Sequence, residues 1–244
     1  MVNCNPVSTP AEASVKLDKS MSPATQEKMR EIKEIPYQEA VGCLTYLAQA
    51  TRPDISFAVN HISQFNANPG RSHWNAVKRI MRYLRGTRSQ RLTYSKQNST
   101  GLVGFTDADW GGEPDSRKST TGYVFTFMGG AVSWNVKRQP TVALSSCEAE
   151  YIALSLTVQL QIFGMHQIPI RCDNKSAICI AQNQGYNPRT KHLDIRYHFV
   201  RDVLDQGVVE LGYVNTKQQP ADGFTKALAI RKLEENKRLI GFVA

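Results

Sequence analysis

Apolar residues recur at helical spacing in three consecutive stretches. Tyr37, Ala40, Val41, Leu44 and Leu47 share one face, as do Ile55, Ala58, Val59, Ile62 and Phe65 after the helix-starting Pro53. Trp74, Val77, Ile80, Met81 and Leu84 form the third stripe, with Ser72 suited to cap that helix and Gly86 to end it. The residues before them, 1–35, hold few periodic apolar positions and several prolines, which predicts an extended or disordered lead-in. A Ser- and Gln-rich stretch at 95–100 marks a boundary.

Beyond it the period changes. Residues 101–106, 121–127 and 131–136 are short apolar runs, and Met128-Gly129-Gly130 between the last two signals a hairpin. From Ser146 helical spacing returns through Ala149, Ile152, Ala153, Leu156, Leu160 and Phe163. Strands follow at 168–172 and 208–214, helices at 174–182 and 195–204, and Pro220 opens a terminal helix. This order predicts an α/β domain built on one mixed sheet, behind a small helical segment.

Composition narrows the class. Hydrophobic residues make up 41% of the chain, enough for a core. Five cysteines with no CxxC pair argue for reduced thiols in an intracellular protein, not for a disulfide or zinc framework. No apolar run approaches the length of a membrane span, and no signal pattern opens the chain, so no membrane partner is expected.

The net charge of +9 points to an anionic partner, and its placement says more than its size. Between Asp54 and Asp107 there is no acidic residue, while Lys78, Arg82 and Arg85 fall at i, i+4 and i+7 on one helix face. A solvated face remains the bland reading. Such a face usually mixes signs and gains i,i+4 pairs, whereas a single-sign face suits a phosphate backbone.

Four acids carry the candidate chemistry. Asp107 ends the first strand, Glu148 lies in the first turn of the long helix, Asp173 follows the fourth strand, and Asp222 starts the last helix. If strands one and four are parallel neighbours, Asp107 and Asp173 emerge at one sheet edge, where open α/β sheets place their sites. Oxygen-only ligands suit hard Mg²⁺, and two such ions about 4 Å apart can clamp the attacking and leaving oxygens of a phosphodiester. Each acid also has a plain structural role open to it. Asp107 can turn the chain before Gly111-Gly112, and Glu148 fits a capping box with Ser145, which would hand the site to Glu150 on another side of the helix. Asp173 can cap a helix, and Asp222 can sit favourably in a first turn.

Six motifs carry a resemblance. TDADW (106–110), DSRKSTTGYVF (115–125), SWNVKRQPTVALSSCEAEY (133–151), CDNKSAI (172–178), TKHLDIRYHFVRD (190–202) and PADGFTK (220–226) resemble the RNase H domain of copia-type LTR retrotransposon Pol polyproteins. Upstream, YQEAVGCLTYLAQATRPDISFAV and HWNAVKRIMRYLRGT resemble the C-terminal end of the reverse transcriptase in the same polyproteins. A YVDD-type polymerase motif is absent.

The resemblance implies an RNase H-like five-stranded mixed sheet flanked by helices. It divides the chain into a lead-in (1–35), a helical reverse transcriptase tail (36–98), the RNase H-like domain (99–230) and a C-terminal tail (231–244). It implies an endoribonuclease that cuts the RNA strand of RNA–DNA hybrids. Asp107, Glu148, Asp173 and Asp222 would hold two Mg²⁺ or Mn²⁺ ions, and His192 (His198 being the other candidate) would act as the loop histidine that helps release product. Lys78, Arg82, Arg85 and Arg138 are the expected nucleic-acid contacts. Expected partners are the hybrid and the rest of the polyprotein. The expected location is the cytoplasmic virus-like particle, with the nucleus as second candidate. An integrase would place its glutamate last among the acids; here it comes second. Between Glu148 and Asp173 the chain is several helical turns shorter than the family pattern. That departure leaves open a decayed or co-opted copy that binds nucleic acid without cleaving it.

Overall fold

The computed structural model describes residues 4–97, 101–159, 167–182 and 194–244. Four helices come first: α1 (Gln26–Lys33), α2 (Tyr37–Ala50), α3 (Ser56–Ser63) and α4 (Arg71–Gly86). The expected stripes form their core. Tyr37, Val41, Leu44, Val59, Ile62, Val77 and Ile80 are buried together, although Leu47 stays exposed at the end of α2. The third helix starts earlier than Ser72: Gly70 precedes it, and the Gly70 N–H donates to Nδ1 of His73 at 2.8 Å. The turn Pro53–Ile55 leads into α3, and Asp54 is buried there in a bidentate pair with Arg52, joined by the Tyr83 hydroxyl at 2.7 Å.

A two-residue strand β1 (Arg91–Leu92) leads to the main sheet: β2 (Val103–Ala108), β3 (Thr120–Phe127), β4 (Gly130–Arg138), β5 (Ile168–Cys172) and β6 (Val209–Tyr213). Spatial order is β4-β3-β2-β5-β6, antiparallel on the hairpin side, with β2, β5 and β6 mutually parallel. The hairpin turns on Met128 and Gly129, both at positive φ, the backbone that suits a tight two-residue connection. Helices α5 (Ser146–Val158), α6 (Lys175–Gln182) and α7 (Asp194–Asp205) belong to the same domain. Tyr151, Ile152 and Leu154 of α5 pack with Ile170, Val200, Val203 and Leu211 over β5 and β6. The expected run of α5 on to Phe163 lies outside the described residues.

Three expectations need correction. The lead-in is extended but not loose: Leu17 joins the helical core, a 3-10 turn forms at Lys19–Met21, and residues 26–33 are α1. Pro220 opens a five-residue 3-10 turn, Pro220–Phe224, and the helix α8 (Ile230–Leu239) starts later. The C-terminal tail is also packed. Leu233 completes the helical core, and β7 (Phe242–Val243) pairs antiparallel with β1. Ile240 and Phe242 are buried with Val124, Val136 and Phe224 on the remaining face of the sheet. These partners are far away in sequence, so no local periodicity announces them.

The helical segment and the sheet domain touch directly. Trp134 Nε1 donates to the Ala48 carbonyl at 2.8 Å, and Asn60 Nδ2 to that of Val136 at 3.0 Å. No helix among the described residues is long and apolar enough to cross a membrane. All five cysteines are free thiols.

Candidate active site

Strand register brings the first two acids together. Phe105 is level with Arg171 on the parallel neighbour, so Asp107 and Asp173, each two residues on, leave the sheet at the same edge. Alternation then assigns the faces: Thr106 turns to α5, where its hydroxyl meets that of Thr157 at 3.0 Å, and Asp107 turns the other way.

Asp222 arrives from the 3-10 turn, which is pinned to the sheet at several points. Gln219 donates from Nε2 to the Thr106 carbonyl at 2.9 Å, and Asn236 from Nδ2 to that of Pro220 at 2.8 Å. Gly122, level with Asp107 on β3, lies beneath this turn. A Cβ there would stand 2.6 Å from Cβ of Phe224, so any side chain would push Asp222 away.

Ligand oxygens of Asp107, Asp173 and Asp222 all lie within 4.8 Å of one another. Asp107 and Asp222 are 4% and 2% exposed. The hydroxyl of Thr225 donates to Asp107, and that of Thr216 to Asp173 at 2.7 Å. The Lys226 ammonium stands 2.8 Å from Asp222, and that of Lys232 at 3.9 Å.

The glutamate is not the expected one. Glu148 caps its own helix: its N–H donates to the Ser145 hydroxyl at 3.1 Å, and its carboxylate accepts from the Leu144 N–H at 2.8 Å. Glu150 is 6% exposed and faces the acids: one carboxylate oxygen lies 3.8 Å from the Cys172 sulfur, next to Asp173, and the charges of Asp107 and Asp173 act on it. Two residues along a helix turn the side chain by about 200°, so only one of the pair can face β2. The signal was the stripe Glu150, Ala153, Thr157 at i, i+3, i+7, whose Thr157 touches the residue before Asp107. An oxygen of Glu150, one of Asp173 and the Cys172 sulfur also lie within 4.8 Å of one another.

Crowded acids hold protons. Burial pushes the Asp107 carboxyl up to about 6; Lys226 and Thr225 oppose this, while Asp222 and Asp173 add to it. Burial, then the charges of Asp107 and Asp173, push Glu150 up to about 10, so it is protonated at neutral pH. Burial alone would lower Lys226, but Asp107, Asp222 and Asp173 outweigh it and its pKa rises. Burial also pushes the Cys172 thiol up. Buried carboxylates with so little compensating charge have the donor set and the electrostatic deficit that a divalent cation satisfies.

The other expected residues lie elsewhere. His192 falls outside the described residues, and His198 is exposed on α7. Lys78, Arg82 and Arg85 are on α4, where Arg82 Nε donates to the Asn5 carbonyl at 2.6 Å and Arg85 to that of Cys4. Arg79 joins them, donating to the Thr9 hydroxyl at 2.9 Å. Arg138 ends β4, level with Thr120, and donates to Gln64 at 3.3 Å.

No family model matches the chain. It is 45% identical, over an alignment of 251 positions that takes in 99% of the chain, to the "Retrovirus-related Pol polyprotein from transposon TNT 1-94" of Nicotiana tabacum. The chain spans about a fifth of the length of such curated relatives. Among solved structures, it resembles the foamy viral protease-reverse transcriptase dRH in complex with double-stranded DNA, at TM-score 0.52 and 15% identity. That match covers 79% of this chain and 35% of the other. RNase H1 from Halobacterium salinarum matches at TM-score 0.41 and 19% identity, over 52% of this chain and 95% of that one.

Proposed function

This chain belongs to the copia-type retrotransposon Pol polyprotein family, and from that premise we propose that its RNase H-like domain hydrolyses the RNA strand of RNA–DNA hybrids. The observation that carries the reading is the convergence of the Asp107, Asp173 and Asp222 carboxylates at one sheet edge, with Glu150 beside them. In this reading the four acids hold two Mg²⁺ or Mn²⁺ ions. Bound there, such ions supply the positive charge that a phosphodiester needs before water can attack phosphorus.

The protein's own contribution is orientation and proton control. The hydroxyls of Thr225 and Thr216 each occupy one lone pair of Asp107 and Asp173, which fixes the carboxylate planes. Gln219 and Asn236 instead fix the backbone of the turn that carries Asp222. Glu150 carries a proton that it must give up when cations enter, so metal binding and deprotonation are coupled. Until then the Lys226 ammonium balances part of the charge.

The test is a labelled hybrid incubated with the purified chain. Mg²⁺- or Mn²⁺-dependent cutting of the RNA strand is expected, leaving 5′-phosphate and 3′-hydroxyl ends, sparing duplex DNA and stopping with EDTA. Asp107→Asn should abolish it. A chain folded by circular dichroism that never cuts hybrid would leave the decayed, binding-only copy in its place.

A further inference from the structure

Among the described residues, two basic surfaces differ in what already occupies them. On α4, Arg79, Arg82 and Arg85 reach the Thr9 hydroxyl and the Asn5 and Cys4 carbonyls, and Arg79 lies 3.3 Å from Glu12. Those guanidinium groups hold the lead-in against the helix.

The second surface is the corner of the β3–β4 hairpin at the acidic edge of the sheet. Arg117 and Lys118 run into β3, and Lys137 and Arg138 end β4. Arg117, Lys137 and Arg138 are exposed. Among the described residues, Arg117, Lys118 and Lys137 meet no acid, while Arg138 donates to Gln64 at 3.3 Å and stands 3.9 Å from Glu113. The acids nearby are already engaged: Asp109 accepts from the Thr120 N–H. Glu113 accepts from the Ser116 N–H at 2.8 Å, and Asp115 from the Lys19 N–H at 3.0 Å.

The register ties this corner to the acids. Gly122 is level with both Asp107 and Val136, so Lys137 and Arg138 lie one and two residues beyond the Asp107 row. Arg138 is on the Asp107 face of the sheet and Lys137 on the α5 face, both at its acidic edge. Two strand spacings put them about 10 Å across the sheet from it. A duplex carries a phosphate about every 3.4 Å of axis on each strand. A duplex seated with one phosphate on the acids therefore passes others over this corner.

We infer that Arg117, Lys118, Lys137 and Arg138 grip the phosphate backbone of the duplex cut at the acids, and that the basic face of α4 serves to hold the lead-in. The inference rests on the nuclease reading above, because the position of the acids orients the duplex.

The experiment measures hybrid binding by fluorescence anisotropy in EDTA, where nothing is cut, across a salt series. Lys137→Gln with Arg138→Gln should flatten the slope of log K against log salt by about two units, with an unchanged melting temperature. Lys137→Arg with Arg138→Lys should keep the wild-type slope. Arg82→Gln with Arg85→Gln should keep the slope too, while exposing the lead-in to limited proteolysis. A wild-type slope in the hairpin variant overturns the inference, as does a flattened slope in the α4 variant. A wild-type chain that cuts hybrid while the hairpin variant binds normally would sink this inference alone. A wild-type chain that neither binds nor cuts would sink the nuclease reading with it.

Discussion

Nζ of Lys226 lies 2.8 Å from Oδ1 of Asp222, one helical turn earlier in the chain, and the Asp107 and Asp173 charges also act on it. The lysine thus stands where cationic charge is wanted, and an incoming divalent ion must compete with it. Lys226→Met should lower the melting temperature in EDTA, because the acids lose their counter-charge. It should tighten Mn²⁺ binding roughly tenfold, since that factor corresponds to about 1.4 kcal/mol, the low end for a hydrogen bond to a charged group. Isothermal titration with Mn²⁺ reads this directly, and weaker binding would show that Lys226 helps rather than competes.

The two glutamates of α5 should separate cleanly. Glu150→Gln should lower cutting of hybrid by about a hundredfold or more, because a neutral amide is a poor substitute for a carboxylate in holding hard divalent ions. Glu148→Gln should keep most activity and stability, because an amide oxygen can still accept from the Leu144 N–H. Single-turnover rates on one labelled hybrid decide it. Equal losses in both variants would mean that the helix, rather than the acid, had been damaged.

That pair also shows where sequence reasoning reached its limit. Asp107 and Asp173 were legible because a parallel strand pair fixes both ends of the argument, and the observed register places them as expected. The hairpin was legible from Met128-Gly129, a local turn requirement. The choice between Glu148 and Glu150 depends on helix rotation about its own axis, which tertiary contacts set, here through Thr157 against Thr106. The packed ends were hidden for a related reason. Thr93 donates to the Gly241 carbonyl at 2.8 Å across most of the chain, and nothing near either residue signals the other.

Stability should depend on pH in a direction the acids dictate. Asp107, raised to about 6, and Glu150, raised to about 10, both bind protons more tightly folded than unfolded. Their contribution is full below the ordinary carboxylate range near 4 and is lost as pH rises through those values. In EDTA the melting temperature should therefore fall between pH 5 and pH 8. With saturating Mn²⁺ the trend should reverse, because the ions bind the deprotonated acids and stabilise by mass action. A melting temperature in EDTA that rises across this range would contradict the protonated Glu150.

The final residues should be indispensable to folding, although they lie outside the five-stranded sheet that carries the acids. Ile240 and Phe242 are 0% and 1% exposed, and the Ala131 N–H donates to the Ile240 carbonyl at 2.9 Å. The Arg52 guanidinium lies over the Phe242 ring at 4.8 Å, so the buried pair with Asp54 shares this anchor. Truncating one such side chain to alanine costs about 2–5 kcal/mol for isoleucine and about 3–5 for phenylalanine. Removing residues 240–244 takes away both, together with the β1–β7 pairing, against a total stability of about 5–15 kcal/mol for a typical domain. The shortened chain should be largely unfolded at 25 °C, while Ile240→Val should lose only about 0.5–1.5 kcal/mol and keep the acid cluster intact. Urea unfolding followed by circular dichroism measures both. A deletion that unfolds at the wild-type midpoint would mean that β7 is not docked on β1 in solution, and that the sheet closes its open face without it.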